Sequence, residues 1–310
     1  MMTSLISIVI PLLNEEESLQ ELCERIMEHV PAGFEVEVWF IDDGSTDTSW
    51  AVIASLAAKD PRIHGVRFRR NYGKSAALQA GFERVKGQYV ITMDADLQDD
   101  PAEIPALINT LSQGYDLISG WKKMRYDPIT KTIPSKFFNA VTSWVSGIKL
   151  HDFNCGLKAY RYEVVKDVHV YGEMHRYVPL LAHWQGYRAI GEQVVTHHPR
   201  KHGKTKFGLN RFINGFLDLI SIVFIHKYLQ RPMHFFGGLG TVFILTGSVI
   251  TAWLVVARLF FNQYLSDRPL FILAIFLVVL GVQFFSTGLL AELTNRTRIR
   301  SKELNIREEC

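Results

Sequence analysis

The sequence predicts an α/β protein with a mostly parallel β-sheet covered by helices on both faces, followed by a C-terminal α-helical transmembrane hairpin. Three observations predict it. β-rich runs alternate with helical patterns through residues 1–200. Polar clusters rich in acid stand where three of those strands end, and two long runs without a charged residue follow, Pro232 to Ala257 and Pro269 to Ala291.

The first strand covers Ser4 to Pro11. The apolar run Leu5 to Leu13 is short, contains Pro11 and passes into Asn14-Glu15-Glu16-Glu17 without a basic leader or a small-residue cleavage site. It therefore reads as a buried strand rather than a signal peptide. A Glu-rich helix follows over Glu16 to His29, then a strand over Glu35 to Ile41 and a helix over Ser49 to Lys59. Ile63 to Arg67 is strand-like, Ser75 to Val85 helical, Tyr89 to Met93 a strand, Ala102 to Gln113 a helix and Asp116 to Ser119 a strand. This order calls for parallel pairing, with ligands beyond the carboxyl ends of the strands.

The chain has 310 residues, 48% of them apolar, with 34 Lys and Arg against 31 Asp and Glu. Residues 232–291 hold only Arg258, Asp267 and Arg268 as charges, so the excess apolarity is local. Outside that stretch the charge content is ordinary for a globular domain, which excludes disorder. Cys23, Cys155 and Cys310 are too few and too far apart for a disulfide scaffold, which fits a reducing compartment. A net charge of +3, without a zinc-finger spacing or an aromatic RNA-binding signature, gives no nucleic-acid partner.

Each uncharged run is long enough to span a ~30 Å hydrocarbon layer as a helix. The joining segment Arg258 to Arg268 is short, so the two helices should run antiparallel with both flanks on one side. Those flanks are basic: Lys227 and Arg231 precede the hairpin, and Arg296, Arg298 and Arg300 follow it. The positive-inside rule then places them in the cytoplasm, as a multi-pass protein of the inner or plasma membrane. Phe212 to Tyr228 reads as an amphipathic helix in the membrane interface, or as a last helix packed on the soluble domain. The expected organisation is a cytoplasmic domain over 1–210, the interfacial helix over 211–230, the hairpin over 231–295 and a basic tail over 296–310. Gly237, Gly238, Gly240, Thr241, Gly247 and Ser248 would permit close helix packing and a homo-oligomer.

The fourth strand ends in Asp94-Ala95-Asp96-Leu97-Gln98. In an extended segment Asp94, Asp96 and the Gln98 carbonyl share one face and could meet one hard cation, Mg²⁺ or Mn²⁺, while Ala95 and Leu97 face away. Such a cation neutralises charge on a departing nucleotide phosphate, although an Asp-x-Asp can equally be a solvated turn. The second strand ends in Asp42-Asp43-Gly44-Ser45-Thr46-Asp47. Its tail is explained by helix capping and a glycine turn, but two carboxylates at the end of an apolar strand suit a nucleobase or ribose. Pro11-Leu12-Leu13-Asn14-Glu15 offers the same choice at the first strand.

These segments, with Asn71-Tyr72-Gly73-Lys74 before an Ala-rich helix and Asp99-Asp100-Pro101 after the metal motif, resemble the family 2 inverting glycosyltransferases. More narrowly they resemble the polyprenyl-phosphate, dolichol-phosphate-mannose-synthase-like type with a C-terminal membrane hairpin, in order along essentially the whole chain. The resemblance implies a GT-A fold and a UDP- or GDP-linked sugar donor. It implies that Pro11, Asn14, Glu15, Asp42 and Asp43 hold the nucleoside, with Lys74 near the base or diphosphate and Asp94 beside it. It also implies a polyprenyl phosphate acceptor and a catalytic role for Asp152 in His151-Asp152-Phe153-Asn154-Cys155-Gly156, beside the metal-bearing Asp96. The acceptor phosphate has a second pKa of about 6 and is mostly a nucleophilic dianion at neutral pH, so Asp152 would orient substrates or take a residual proton.

The basic loop Arg200-Lys201-His202-Gly203-Lys204-Thr205-Lys206 has Thr205 where the family usually has Ser. It reads either as juxtamembrane charge drawn to anionic lipid or as a clamp in which Arg200, Lys204 and Lys206 grip the acceptor phosphate. Arg125, Ser135 and Lys136 are second candidates for that contact, and His175 and Arg176 are candidates for the sugar or diphosphate. Adjacent His197 and His198 lack cysteine partners and do not read as a zinc site. A processive polysaccharide synthase is disfavoured by the lack of a Gln-x-x-Arg-Trp segment, and a silent membrane scaffold by the intact acidic motifs.

Overall fold

The computed structural model describes residues 4–123, 139, 142–143, 147–199, 232–261 and 269–299. Arg125, Ser135, Lys136, Arg200, Lys204, Lys206, the expected interfacial helix over 211–230 and the end of the basic tail lie outside the described residues. Two compact units emerge, one N-terminal and one containing the two long apolar helices.

In the N-terminal unit β1 (Ser4–Leu12) is central, paired in parallel with β2 (Phe34–Asp42) on one side and β4 (Tyr89–Thr92) on the other. Its Ile-Val-Ile run is buried on both faces, as a strand covered by helices on each side must be. β3 (Ile63–Arg67) adds to β2 in parallel. Beyond β4 the sheet continues through β6 (Lys158–Arg161), β5 (Leu117–Trp121) and β7 (Ile190–Val194), giving the order β3-β2-β1-β4-β6-β5-β7. β6 is antiparallel to both neighbours, and β5 and β7 are parallel. The sheet is therefore mixed but mostly parallel, and the carboxyl ends of β1, β2, β4 and β5 point to one edge.

The helices follow from sequence spacing. α1 (Leu19–Glu28) buries Leu19, Leu22, Cys23 and Ile26, one face at i, i+3, i+4 and i+7. After α2 (Ser49–Lys59) and α3 (Lys74–Arg84), α4 (Ile104–Ser112) repeats the spacing with Ile104, Leu107, Ile108 and Leu111. A single 3₁₀ turn, Pro101–Glu103, leads into α4, with the Asp100 side chain accepting the Ala102 N–H at 3.0 Å. The short α5 (Tyr162–Asp167) and α6 (Val178–Trp184) complete the unit.

In the second unit α7 (Pro232–Phe261) and α8 (Pro269–Ile299) are each long and apolar enough to cross a membrane. They pack antiparallel: a β-carbon at Gly240 would meet the Gly281 carbonyl at 2.7 Å, and one at Gly247 the Ala274 carbonyl at 2.7 Å. Glycine at these points lets the backbones approach. These small residues thus serve the contact within the hairpin, while Gly238 has open space around it. Thr241 and Thr251 return their hydroxyls to the Gly237 and Gly247 carbonyls, which satisfies them in an apolar environment. Trp253, Leu259, Phe260, Ile272 and Leu290 stay more than half exposed, forming an apolar outer surface. α8 continues through Ile299, past the end expected for the hairpin.

Candidate active site

β4 delivers the acidic pair. Beyond Thr92, residues 94 to 98 alternate in burial: Asp94, Asp96 and Gln98 are half-buried, while Ala95 is 3% and Leu97 1% exposed. The expected division of faces is present, but the backbone is a turn rather than an extended segment, and Leu97 adopts φ 59°. The chain must bend to bring Asp99 against His197, and the buried Leu97 side chain holds the left-handed conformation that its β-carbon disfavours. The Gln98 N–H donates to Asp96 Oδ1 at 3.2 Å, and the Gln98 backbone carbonyl accepts the His198 N–H at 2.9 Å.

Among the described residues no three His, Cys, Asp or Glu side chains form a metal cluster. The pair does fit a hard cation that takes one or two carboxylates and completes its shell with phosphate oxygens and water. A β-carbon at Gly156 would lie 2.5 Å from Asp94 Oδ2, so only glycine allows the carboxylate its position.

Lys74, the first residue of α3, bonds Asp94 Oδ1 through Nζ. Burial pushes the Asp94 carboxyl up, but Lys74, Lys122 and Lys158 outweigh it and hold the group well below the usual carboxylate range. Lys158, 3% exposed on β6, is pulled down by burial and bonds the Cys155 carbonyl. Lys122, just past β5, is pulled down by burial but driven above its ordinary value by Asp99, whose Oδ1 lies 2.7 Å from Nζ. A small cavity at Asp94 is lined by Pro11, Lys74, Asp94, Gly156, Lys158 and His175.

At the end of β2, Asp42 is fully buried; its Oδ1 accepts the Ser45 N–H at 2.7 Å and its Oδ2 faces Arg67 Nε at 3.4 Å. Asp43 accepts from two backbone amides, Tyr72 N–H at 2.7 Å and Gly73 N–H at 2.9 Å. Burial raises the Asp43 carboxyl against the lowering effect of those amides. Asp43 thus fixes the loop that presents Lys74. Asn14, at φ 56°, donates its N–H to Ser45 Oγ at 2.9 Å and accepts the Thr46 N–H at 2.8 Å, and the Glu15 N–H donates to Ser49 Oγ at 3.0 Å. The polar groups at the ends of β1 and β2 therefore bind the two loops together.

Asp152 is 1% exposed; Oδ1 accepts the Asn154 N–H at 3.1 Å and its carbonyl accepts from Ser119 Oγ at 3.2 Å. His175 and Arg176 are both 7% exposed. The His175 N–H donates to Ser75 Oγ at 2.9 Å, which docks the 3₁₀ turn Met174–Arg176 on α3, and Arg176 lies 3.6 Å from Glu173. Pro11, Lys74, Asp94 and His175 are thus brought to one cavity, whereas Asp42, Asp43 and Asn14 act on the neighbouring loops. Lys122, Gly156 and Lys158 were not legible as site residues, because only the pairing of β6 between β4 and β5 carries them there.

The mixed, mostly parallel sheet with an acidic pair beyond the end of β4 has the GT-A architecture. The chain belongs to glycosyl transferase family 2, whose model matches residues 7–169. It is 37% identical to a dodecaprenyl-phosphate galacturonate synthase of Rhizobium johnstonii, over 95% of this chain and 89% of that protein. It is 35% identical to an undecaprenyl-phosphate 4-deoxy-4-formamido-L-arabinose transferase of Edwardsiella ictaluri, over 94% and 89% of the two chains. Among solved structures, glucosyl-3-phosphoglycerate synthase from Mycobacterium tuberculosis, in complex with Mn²⁺, UDP and phosphoglyceric acid, matches with a TM-score of 0.57 at 17% identity. That likeness covers 72% of this chain and 78% of the other, and bears on the fold.

Proposed function

We propose that this protein transfers one sugar, with inversion, from a nucleotide-diphosphate sugar to the phosphate of a polyprenyl carrier at a membrane. The observation that carries the reading is the Asp94 and Asp96 pair with Lys74 on it, in a chain whose family relatives are named for polyprenyl-phosphate sugar products and which ends in two helices of membrane-spanning length. Asp94 and Asp96 would hold Mg²⁺ or Mn²⁺, which when bound offsets charge on the departing nucleotide diphosphate.

The protein's own residues do the rest. Lys74 stands where a diphosphate enters and exchanges its contact with Asp94 for one with phosphate oxygen. Pro11, Asn14, Glu15, Asp42 and Asp43 build the nucleoside side of the cleft, largely by fixing its loops. His175 and Arg176 bound the sugar side. Asp152, the catalytic candidate, would orient the acceptor and sugar hydroxyls, since a phosphate dianion needs no strong base. Arg125, Ser135, Lys136, Arg200, Lys204 and Lys206 would supply positive charge to the acceptor phosphate. Catalysis is then chiefly positioning and charge neutralisation. In-line attack on an α-linked donor gives a β-linked lipid product. The basic flanks support a cytoplasmic catalytic unit, with both apolar helices crossing the membrane.

The test is a panel of radiolabelled UDP- and GDP-sugars with undecaprenyl phosphate in detergent, before and after EDTA and again after Mg²⁺ or Mn²⁺ is restored. Labelled lipid from one donor, lost with chelation and regained with metal, supports the reading and names the sugar. Nucleotide binding without transfer from any donor would overturn it.

A further inference from the structure

One exposed side chain is held in a fixed pose outside the cavity. The His151 ring is 65% exposed, yet it stacks on Trp121 with centroids 4.1 Å apart and planes 12° apart. Its Nδ1 bonds Glu192 Oε1, and its backbone N–H donates to Glu192 Oε2 at 2.7 Å. Its carbonyl accepts from Nδ2 of the buried Asn139 at 2.7 Å. Fixing an exposed side chain costs rotamer freedom, and an exposed ion pair returns little stability. The pose therefore serves something that comes to the ring, and with Nδ1 turned to Glu192 the atom offered is Nε2.

Strand register places this ring relative to the acidic pair. Thr92 on β4 and Ser119 on β5 both pair with Lys158 of β6. Asp94 lies two residues past Thr92, and Trp121 two residues past Ser119, both toward the carboxyl edge. Two strand spacings separate them, so Trp121 and the His151 ring on its face stand about 10 Å along the edge from Asp94. Lys123 Nζ lies 5.7 Å from the Trp121 ring centre, adding a cation there.

We propose that His151, oriented by Glu192 and Trp121, contacts the phosphate of the acceptor through Nε2; this rests on the acceptor reading above. As the imidazolium it donates Nε2–H to a phosphate oxygen. As the neutral ring it accepts the proton of the phosphate monoanion, whose pKa is about 6. No other bond changes at this residue. Glu192 is a positioning residue that acts through His151.

The experiment is equilibrium binding of farnesyl phosphate, and separately of UDP and GDP, to the detergent-solubilised full chain and to His151→Ala, His151→Arg and Glu192→Gln. His151→Ala should bind farnesyl phosphate about ten- to a hundredfold more weakly, the loss expected for a hydrogen bond to a charged group, with nucleotide binding unchanged. His151→Arg should recover part of the loss, because a guanidinium stacks on Trp121 and donates to phosphate. Glu192→Gln should fall between wild type and His151→Ala. Unaltered farnesyl phosphate binding by His151→Ala overturns the inference alone. Equal losses for nucleotide and farnesyl phosphate that His151→Arg does not restore make the cluster structural and also overturn it. If the wild type binds no farnesyl phosphate, the inference and the acceptor reading fall together.

Discussion

A β-carbon at position 156 would stand 2.5 Å from Asp94 Oδ2, so the glycine on the loop before β6 sets where the acidic pair of β4 can sit. Gly156→Ala should displace the carboxylate by an ångström or less without unfolding the sheet. Misplacement on that scale costs up to about a hundredfold in rate. Steady-state transfer should fall by that order while circular dichroism and nucleotide binding stay near wild type. An alanine variant with full activity would show that the Asp94 position is not critical.

Asp43 accepts the Tyr72 and Gly73 amides and so presents Lys74. Asp43→Ala leaves the Tyr72 N–H to find water and the Gly73 N–H with Asn71 Oδ1, a change of about 1–3 kcal/mol. Nucleotide affinity measured by calorimetry should drop about ten- to a hundredfold, in parallel with loss of Lys74 placement. Undiminished affinity would mean that the loop holds its form without Asp43.

Burial raises the Cys23 thiol to about 11 and the Cys155 thiol to about 12, so neither ionises near neutrality. Only the thiolate reacts readily. Iodoacetamide at about pH 8 should leave both unmodified in the native protein and label both in urea, read by peptide mass mapping. Rapid native labelling of Cys155 would show that the loop before β6 opens.

Gly247 meets the Ala274 carbonyl across the two long helices. Gly247→Leu should force the backbones apart and destabilise the hairpin by about 1–3 kcal/mol, the usual range for overpacking. The thermal midpoint in detergent should fall, whereas nucleotide binding by the N-terminal unit persists. An unchanged midpoint would show that the contact does not hold α7 to α8.

The elements from β1 to α4 were legible, most plainly where a buried apolar strand is joined to a helix of clear period; α1 and α4 bury the residues that spacing selects. β6 and β7 were not. β6 is four residues, Lys158-Ala159-Tyr160-Arg161, whose lysine is buried against the expectation for its type, and β7, Ile-Gly-Glu-Gln-Val, has neither an apolar run nor a period-two alternation. Within the site, the period-two exposure of Asp94, Asp96 and Gln98 could be read, but the turn could not, because nothing in a leucine announces φ 59° at Leu97. Lys158 and Gly156 reach Asp94 across some sixty residues of chain, a placement that no local pattern encodes.

The proposed function puts sugar transfer to a polyprenyl phosphate on the acidic pair at the end of β4. Its most direct test is Asp96→Ala, assayed for labelled lipid with the donor that the wild type uses, beside nucleotide binding by the same preparation. Loss of transfer by about a hundredfold or more, with nucleotide binding retained to within about tenfold, is the result expected of a group that stabilises developing charge. Transfer at the wild-type rate by a folded Asp96→Ala protein would contradict the account.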